Sequence, residues 1–247
     1  SNQETIIPTG STRSVTTGNI YLSELNLETG RRNRIIDYGK GSFKFIKVAP
    51  DNLSMVAGDV SNFHYNVKQY YFPDFQVVST MQGLFREAMN AEFTHNSRYL
   101  SLCFNDGKIT IFYLDNMRQN ELHGHSNSVL ETVFSPDDRF LFSRGSDHMV
   151  KAWDVSSGNE LFSFLTLKDT GWFYLTPDRY YFASKIALKE MAWTIGMKKY
   201  DFEQFDLIYN RPDLVLAKIP YADTSLIPFY RKAYEKRLKK AGFTEPM

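Results

Sequence analysis

The chain has 247 residues, of which 43% are hydrophobic and 15% aromatic, so it can bury a substantial core in one or two domains. Its net charge of +1 excludes a protein whose whole surface attracts nucleic acid, and its single cysteine excludes an internal disulfide framework and a cysteine zinc cluster. The sequence has neither an N-terminal signal segment nor a run of the roughly 20 apolar residues that span a bilayer. We expect a soluble protein, cytoplasmic or periplasmic, with the compartment left open.

The first predicted strand lies at the start of Ile20–Gly30, a segment that ends in Leu25-Asn26-Leu27-Glu28-Thr29-Gly30. This segment matches Trp153–Gly158 farther along the chain, which favours the third strand of a four-stranded unit. The first half of that unit is missing. We therefore expect an excerpt of a longer protein that carries additional domains.

Four turns then recur along the chain, each after a short apolar run. They are Val48-Ala49-Pro50-Asp51, Phe93-Thr94-His95-Asn96, Phe134-Ser135-Pro136-Asp137 and Leu175-Thr176-Pro177-Asp178. The spacings between their last residues are 45, 41 and 41 residues. A period of about 41 residues with short strands and turns is typical of propeller blades. It predicts an all-β propeller and favours a binding platform over an enzyme.

The best copy of the repeat runs from Leu122 to Phe164. Its four predicted strands are Val129–Phe134, Arg139–Ser143, Met149–Asp154 and Leu161–Leu165. The other copies are in phase with it, because the position of Trp153 is matched by Tyr70, Phe112 and Trp193. Cys103 lies in one of these apolar runs, where a buried, inert thiol is expected.

Gly124-His125 near the start of this copy and Trp153-Asp154 near its end resemble the WD-repeat family. The resemblance implies a hydrogen-bonded chain inside the blade, formed by His125, Ser143, Asp147 and Trp153. It assigns the same role to Asp106 in the preceding blade, where Leu84 replaces the histidine and leaves the chain incomplete. A competing interpretation makes His125 and Asp147 a catalytic pair that lacks a nucleophile.

The repeat divides the chain into two predicted regions. Residues 1–199 form the propeller and hold about four to five blades, whereas closed propellers contain four to eight. An open ring would expose two sheet edges, which proteins usually avoid, so the count favours part of a larger ring. Residues 200–247 lose the strand alternation and form a helical C-terminal extension.

Helical signals in this extension come in two groups. Asn210 is a predicted cap with Pro212 in the first turn, and Asp223-Thr224-Ser225 gives a second capping signal. One helical face then follows, and Gly242 ends it. That face consists of Leu226, Tyr230, Ala233, Tyr234 and Leu238.

Residues 231–240 are strongly basic. They carry six basic residues against the single acid Glu235. We interpret them as the solvated face of a helix docked on the propeller. The alternative is a nucleic-acid binder that uses Lys236, Arg237, Lys239 and Lys240, although the segment lacks the glycines and exposed aromatics of a nucleic-acid module.

Two blocks of the extension, Phe202–Asp213 and Tyr230–Leu238, are similar to a segment that follows the propeller in bacterial WD-repeat proteins. Several of those proteins continue into a caspase-like peptidase domain. The resemblance implies that such a domain follows this region. No peptidase residue is carried over, because nothing in the chain matches a catalytic Cys and His motif.

A search for other chemistry leads to no cofactor, no catalytic set and no metal site. His123 and His125 alternate, but Glu121 is the only third ligand nearby, so the metal interpretation is weak. We expect a non-enzymatic scaffold or sensing platform for protein partners, with contacts on loops at one rim. The residues expected there are Arg118, His123, Ser126 and Arg144. The alternative from another class is an enzyme with its site at the mouth of a propeller channel.

Overall fold

A computed structural model describes residues 19–25, 29–40, 42–61, 64–71, 76–84, 86–116, 118–167 and 170–243. The chain divides into two compact units, Ser1–Asp138 and Arg139–Met247. The best copy of the repeat therefore contributes its first strand to the first unit and the other three to the second.

The first unit is built from antiparallel strands. Its described strands are β1 (Asn19–Leu25), β2 (Arg32–Lys40), β3 (Ser42–Val48), β4 (Ser54–Ser61), β5 (His64–Tyr71), β6 (Gln76–Leu84), β7 (Ala88–Phe93), β8 (Tyr99–Phe104), β9 (Lys108–Tyr113), β10 (Gln119–His123) and β11 (Val129–Phe134). Strands β3 to β6 form one four-stranded sheet and β7 to β10 another, each in sequence order. Strands β1 and β2 form a hairpin.

The second unit begins with strands and ends with helices. Its strands are β12 (Phe140–Gly145), β13 (Val150–Asp154), β14 (Glu160–Thr166), β15 (Trp172–Leu175), β16 (Tyr181–Ala183), β17 (Trp193–Ile195) and β18 (Lys198–Tyr200). Strands β12 to β16 pair in sequence order, and β17 pairs with β18. The helices are α1 (Lys185–Glu190), a 3₁₀ turn (Phe202–Phe205), α2 (Asp206–Tyr209), α3 (Pro212–Leu216) and α4 (Leu226–Lys240).

The backbone reproduces the repeat at each of the four predicted turns. Asn52, Ser97, Asp138 and Arg179 all have left-handed backbone, with φ of 57°, 57°, 58° and 69°. In every case the amide N–H donates to the carbonyl three residues earlier, over 2.8 to 2.9 Å. Few non-glycine residues adopt this conformation. Its recurrence at the sequence period confirms that the four segments are copies of one turn.

The side chains at these positions also fasten neighbouring turns within the first unit. The Asp138 carboxylate accepts the amide N–H groups of His95 and Asn96 at 2.8 and 3.0 Å. The Ser97 hydroxyl accepts the Asp51 amide N–H at 3.1 Å. Short polar residues are suited to this position because they tolerate left-handed backbone and also satisfy an otherwise open donor.

The first unit buries a contiguous apolar cluster drawn from β3, β4, β5, β7, β8 and β9. Phe45, Leu100, Leu102, Phe104 and Phe112 are among its larger members. Cys103 is buried as well, which confirms the predicted core position. Burial raises the pKa of its thiol to about 12, so the reactive thiolate is suppressed at neutral pH.

The core of the second unit is largely aromatic. Phe173 stacks on Tyr181 at 5.8 Å, and Phe202 meets the edge of both rings. Trp193, which the repeat matched to Trp153, starts a short hairpin instead and packs beside Phe202 at 5.0 Å. Rings from the sheet and from the C-terminal turns thus share one interior.

A buried ion pair connects α3 to α4. Arg211 donates two parallel hydrogen bonds to the Asp213 carboxylate at 2.9 and 2.8 Å, and its guanidinium lies 4.0 Å from the centre of the Tyr234 ring. Arg237 adds a bond of 2.6 Å to the Asn210 carbonyl. The extension is therefore held by oriented charges as well as by apolar packing.

The helical predictions need two corrections. Arg211, not Asn210, is the cap residue of α3, although Pro212 does occupy the first turn. The second capping signal is confirmed in position, because Ser225 is the cap residue of α4, although its side chain makes no bond to the helix. The helical face that was expected to dock is buried only in part. Tyr234 and Leu238 are buried, whereas Ala233 is exposed and Leu226 is 43% exposed. Gly242 follows α4 in the left-handed region, at φ 87°.

We predict an alkaline loss of stability that depends on Tyr181. Its phenol donates a hydrogen bond to the Asp206 carboxylate. Burial is the main cause that raises the pKa of Tyr181 well above its usual range, and the Asp206 carboxylate is the second cause. A raised pKa in the folded state contributes stability below the unfolded value, near pH ~10, and that stability is lost as the pH rises above it. Urea titrations from neutral to alkaline pH should show a falling midpoint.

Tyr181→Phe removes the titrating group, so its urea midpoint should fall less steeply above pH ~10. Tyr221→Phe, at a residue 69% exposed, is the matched control and should follow the unmodified chain. Identical slopes for all three proteins would contradict the prediction.

Candidate interaction site

One link of the predicted blade network lies inside the second unit. The indole N–H of Trp153 on β13 donates to the Ser143 hydroxyl on β12 at 2.8 Å. Both residues are buried, and Asp147 accepts the Met149 amide N–H at 3.1 Å in the turn between their strands. His125 is buried in the first unit. The complete four-residue chain stays a prediction.

The blade with Asp106 has a polar network that the sequence did not reveal. Arg86, in the loop before β7, lies 3.5 Å from Asp106, donates to the Thr110 hydroxyl at 3.1 Å and pairs with Glu121 at 2.5 Å. Its guanidinium also covers the Phe104 ring at 4.1 Å. An arginine two residues after Leu84 thus reaches the aspartate that was expected to lack its partner.

Glu121 is the centre of a charged cluster on the surface of this blade. Lys108 lies 3.1 Å and His123 3.0 Å from one of its carboxylate oxygens. Burial opposes ionisation, but hydrogen bonds from Arg86 and Lys108 hold the pKa of Glu121 below its usual range. Glu121 and His123 have no third metal-ligating side chain beside them, and no group of three such side chains occurs elsewhere in the described ranges.

The residues expected at one rim occupy different places. Arg118 precedes β10 and His123 ends it, so this five-residue strand separates them by about 16 Å. They therefore lie at opposite ends of the blade. Ser126 follows His123 in an exposed loop, and Arg144 is an exposed residue of β12 in the second unit.

The loop of Ser126 packs closely on the preceding turn. Gly107 has φ of 87°, and a Cβ at this position would come within 2.7 Å of the His125 carbonyl oxygen. The Ser128 hydroxyl donates to the Asn105 carbonyl at 2.8 Å. This contact needs glycine at position 107 and positions the predicted rim residues His123 and Ser126 at one end of the sheet.

A lysine, a serine and a glutamate meet inside the second unit. Lys151 lies 2.6 Å from the Ser163 hydroxyl and 2.8 Å from Glu160, and Ser163 donates to the same Glu160 oxygen at 2.5 Å. Serine and lysine form a nucleophilic pair in some hydrolases. Here the hydroxyl is buried and is bonded to both neighbours, so this cluster has the geometry of a satisfied buried ion pair.

The second unit contains a groove walled by aromatic side chains from three strands. The register places Phe164 opposite Tyr174, and Tyr174 opposite Phe182, which makes a row across β14, β15 and β16. Ring centres of Phe164 and Tyr174 are 4.5 Å apart, and those of Trp172 and Phe182 are 4.7 Å apart. These aromatic pairs make a stable, pre-formed surface.

The end of α3 and the residues after it complete the lining, with Leu216, Ile219 and Ala222. The groove encloses about 750 Å³, a volume in the range of small-molecule or side-chain binding sites. Its polar side chains are Thr166, Thr170 and Asp223. An apolar groove with a few polar groups is suited to bulky apolar side chains.

Strand alternation explains both faces of this sheet. Phe173 and Tyr181 point into the core, so their neighbours Trp172, Tyr174 and Phe182 point to the other face. The sequence Trp172-Phe173-Tyr174-Leu175 is aromatic or apolar on both faces. Sequence reasoning therefore missed the groove, since no polar residue in β15 marks an outer side.

The predicted basic residues of α4 divide into two groups. Lys236, Lys239 and Lys240 are exposed, as predicted for a solvated face. Arg237 points inward to the Asn210 carbonyl and has a structural role instead. None of the helices in the described part of the chain combines the length and apolarity needed to cross a membrane.

No protein-family model matches the chain. Among curated proteins, a WD repeat-containing protein 26 homolog from Arabidopsis thaliana is 27% identical over 88 residues, which cover 34% of this chain and 15% of that protein. An uncharacterized WD repeat-containing protein from Caenorhabditis elegans, F47D12.9, is 44% identical over 48 residues, or 19% of this chain and 9% of that protein. The matches thus span small parts of both relatives.

Solved structures give a similar result at lower identity. The crystal structure of the RRP9 WD40 repeats and a structure of U3-55K each superpose with a TM-score of 0.50 at 13% identity. The alignments cover 61% of this chain and 53% and 54% of those chains, so the matched region spans about half of each. With the repeated turns and the antiparallel sheets, these likenesses identify the fold as a WD-repeat β-propeller with a small helical C-terminal part.

Proposed function

We propose that the chain is a non-enzymatic protein-recognition module that binds a partner segment in the aromatic groove of its second unit. WD40-repeat proteins generally act as protein-interaction scaffolds, and this chain shares their fold. The observation that carries the proposal is the row of Phe164, Tyr174 and Phe182 beside Trp172, which lines an open apolar volume of about 750 Å³.

The groove has the properties of a hot spot for protein binding. Aromatic anchors in partly enclosed pockets supply most of the affinity at protein interfaces. The walls come from paired strands and from a segment whose Tyr221 packs on Phe140 at 5.9 Å. A rigid site of this kind loses little conformational entropy when it binds an extended segment.

The remaining parts of the functional proposal rest on other grounds. The proposal of a non-enzymatic role is in keeping with the Ser163 hydroxyl, which is bonded to Lys151 and Glu160 instead of being free as a nucleophile. Attachment to a caspase-like peptidase domain rests only on the sequence resemblance of residues 202–238. We also propose partner contacts through His123 and Ser126 at one end of the first-unit blade, through Arg118 at its other end and through Arg144 on β12, and a domain boundary at residue 199.

The groove is tested by selecting peptides from a display library on the complete chain. We expect enriched peptides with bulky apolar residues, and we expect Trp172→Ala to weaken their binding by ~30-fold, since truncation of an anchoring aromatic costs about 2 kcal/mol or more. Fluorescence anisotropy of labelled peptides gives the dissociation constants.

Tyr113→Ala is a matched control, because it removes a partly buried ring from the first unit and leaves the groove intact. Circular dichroism establishes that both variants fold. The proposal fails if no peptide is enriched, or if the enriched peptides bind Trp172→Ala and the unmodified chain equally well.

A further inference from the structure

We infer that the partner segment is an acidic peptide, with apolar side chains in the groove and carboxylates on an exposed row of α4. The inference rests on the proposed function, since it specifies what binds at the same site. It is carried by two observations, which are the continuity of the aromatic surface from the groove to α4 and the charge of the α4 face beyond it.

A chain of ring contacts extends the groove onto the helix. Trp172 meets Phe182 at 4.7 Å, Phe182 meets Tyr230 at 5.3 Å, and Tyr230 meets Phe229 at 5.6 Å. Phe229 is 67% exposed, so this path ends at the surface of α4. A segment that leaves the groove past Phe182 therefore meets aromatic side chains on α4.

Beyond Phe229 the same helical face becomes basic. Phe229, Ala233, Lys236 and Lys240 follow at spacings of four, three and four residues, which places them in one row. All four are exposed, and the row is about 16 Å long. Lys232 lies beside it. Among the described residues, no carboxylate forms an ion pair with Lys232, Lys236 or Lys240.

The opposite face of α4 fixes the direction of this row. Tyr234 and Leu238 are buried, and Arg237 is bonded to the Asn210 carbonyl. The helix therefore cannot rotate about its axis without breaking these contacts. The lysines therefore stay on the exposed side of α4, in the row that begins at Phe229.

The charges favour a peptide over a phosphate-bearing partner. Among the described residues that line the groove, Asp223 is the only charged one, and its carboxylate repels phosphate. The apolar walls of the groove also suit leucine or aromatic side chains better than a polar backbone. The expected segment has its apolar residues at the Asp223 end and its acids toward Lys236 and Lys240.

The test uses the display peptides that depend on Trp172. We expect these peptides to combine bulky apolar residues with Asp or Glu. Lys236→Glu together with Lys240→Glu should weaken binding ~10-fold at low salt and less at high salt, because exposed charges are screened. Lys198→Glu with Lys199→Glu is the matched control, since both lysines are exposed on β18, and it should leave affinity unchanged.

The outcomes separate this inference from the proposed function. Trp172-dependent peptides that are neutral or basic, or that bind the Lys236 and Lys240 double variant normally, would overturn the inference and leave the groove proposal intact. A complete lack of Trp172-dependent peptides would remove both. Single-stranded RNA or phosphatidylserine vesicles serve as further probes, and binding of either through Lys236 and Lys240 in place of the peptides would also overturn the inference.

Discussion

Trp153→Ala should lower the free energy of unfolding by about 3–5 kcal/mol, as deletion of a large buried aromatic does. The side chain is 1% exposed and lies on β13 between Leu141 of β12 and Glu160 of β14. The substitution leaves a cavity and also deprives the buried Ser143 hydroxyl of its indole donor. Urea unfolding followed by circular dichroism measures the loss.

Trp153→Phe separates the two contributions of this side chain. It keeps most of the apolar volume but removes the N–H, so it should cost about 1–3 kcal/mol, with the lost donor as the main contribution. A loss below about 1 kcal/mol for Trp153→Ala would show that Trp153 is not at the centre of a blade.

Arg211→Ala should destabilise the second unit by about 3–5 kcal/mol, because it leaves a buried carboxylate without its partner. Asp213 is 0% exposed and receives both guanidinium bonds of Arg211. The same change removes the cation from the Tyr234 ring, so it loosens α4. Hydrogen exchange of α4 and urea unfolding give the two readouts.

The pair also has a defined pH dependence. Burial works to raise the pKa of Asp213, but the Arg211 hydrogen bonds outweigh it and hold this pKa below its usual range. Stability from a lowered carboxyl pKa is present above the unfolded value, near pH ~4, and is lost as the pH falls through the folded value. Arg211→Ala should therefore flatten the acid limb of the stability profile.

Arg231→Ala is the control for this pair, because Arg231 lies 3.8 Å from Asp213 with most of its side chain in solvent. Exposed ion pairs contribute about 0–1 kcal/mol. Equal effects of Arg211→Ala and Arg231→Ala would contradict the role assigned to the bidentate pair.

The strands and turns were accessible from the sequence because each follows from local chemistry. The four recurring turns, three of them Pro-Asp, set the period, and the predicted strand Val129–Phe134 has the same bounds in the structure. The match of Trp193 to the blade position of Trp153 was wrong, because Trp193 packs beside Phe202 in a core of aromatic rings. An aromatic residue at the repeat spacing packs equally well in either place. Spacing alone does not distinguish these two environments.

The groove and the Arg86 network were beyond sequence reasoning for a different reason. Both depend on which residues from separate strands or loops come together. Thr110 and Glu121 are 24 and 35 residues from Arg86, and neither motif nor period links them. The groove needs the segment after α3 to return to β15, which no pattern in residues 216–223 predicts.

Hydrogen–deuterium exchange of the complete chain with and without a selected peptide tests the central claim most directly. The account predicts slower exchange in β14 to β16 and in residues 216–223, with no protection in this region for Trp172→Ala. Protection confined to other segments, such as the loop of His123 and Ser126, would show that partners bind elsewhere and would contradict the assignment of the groove.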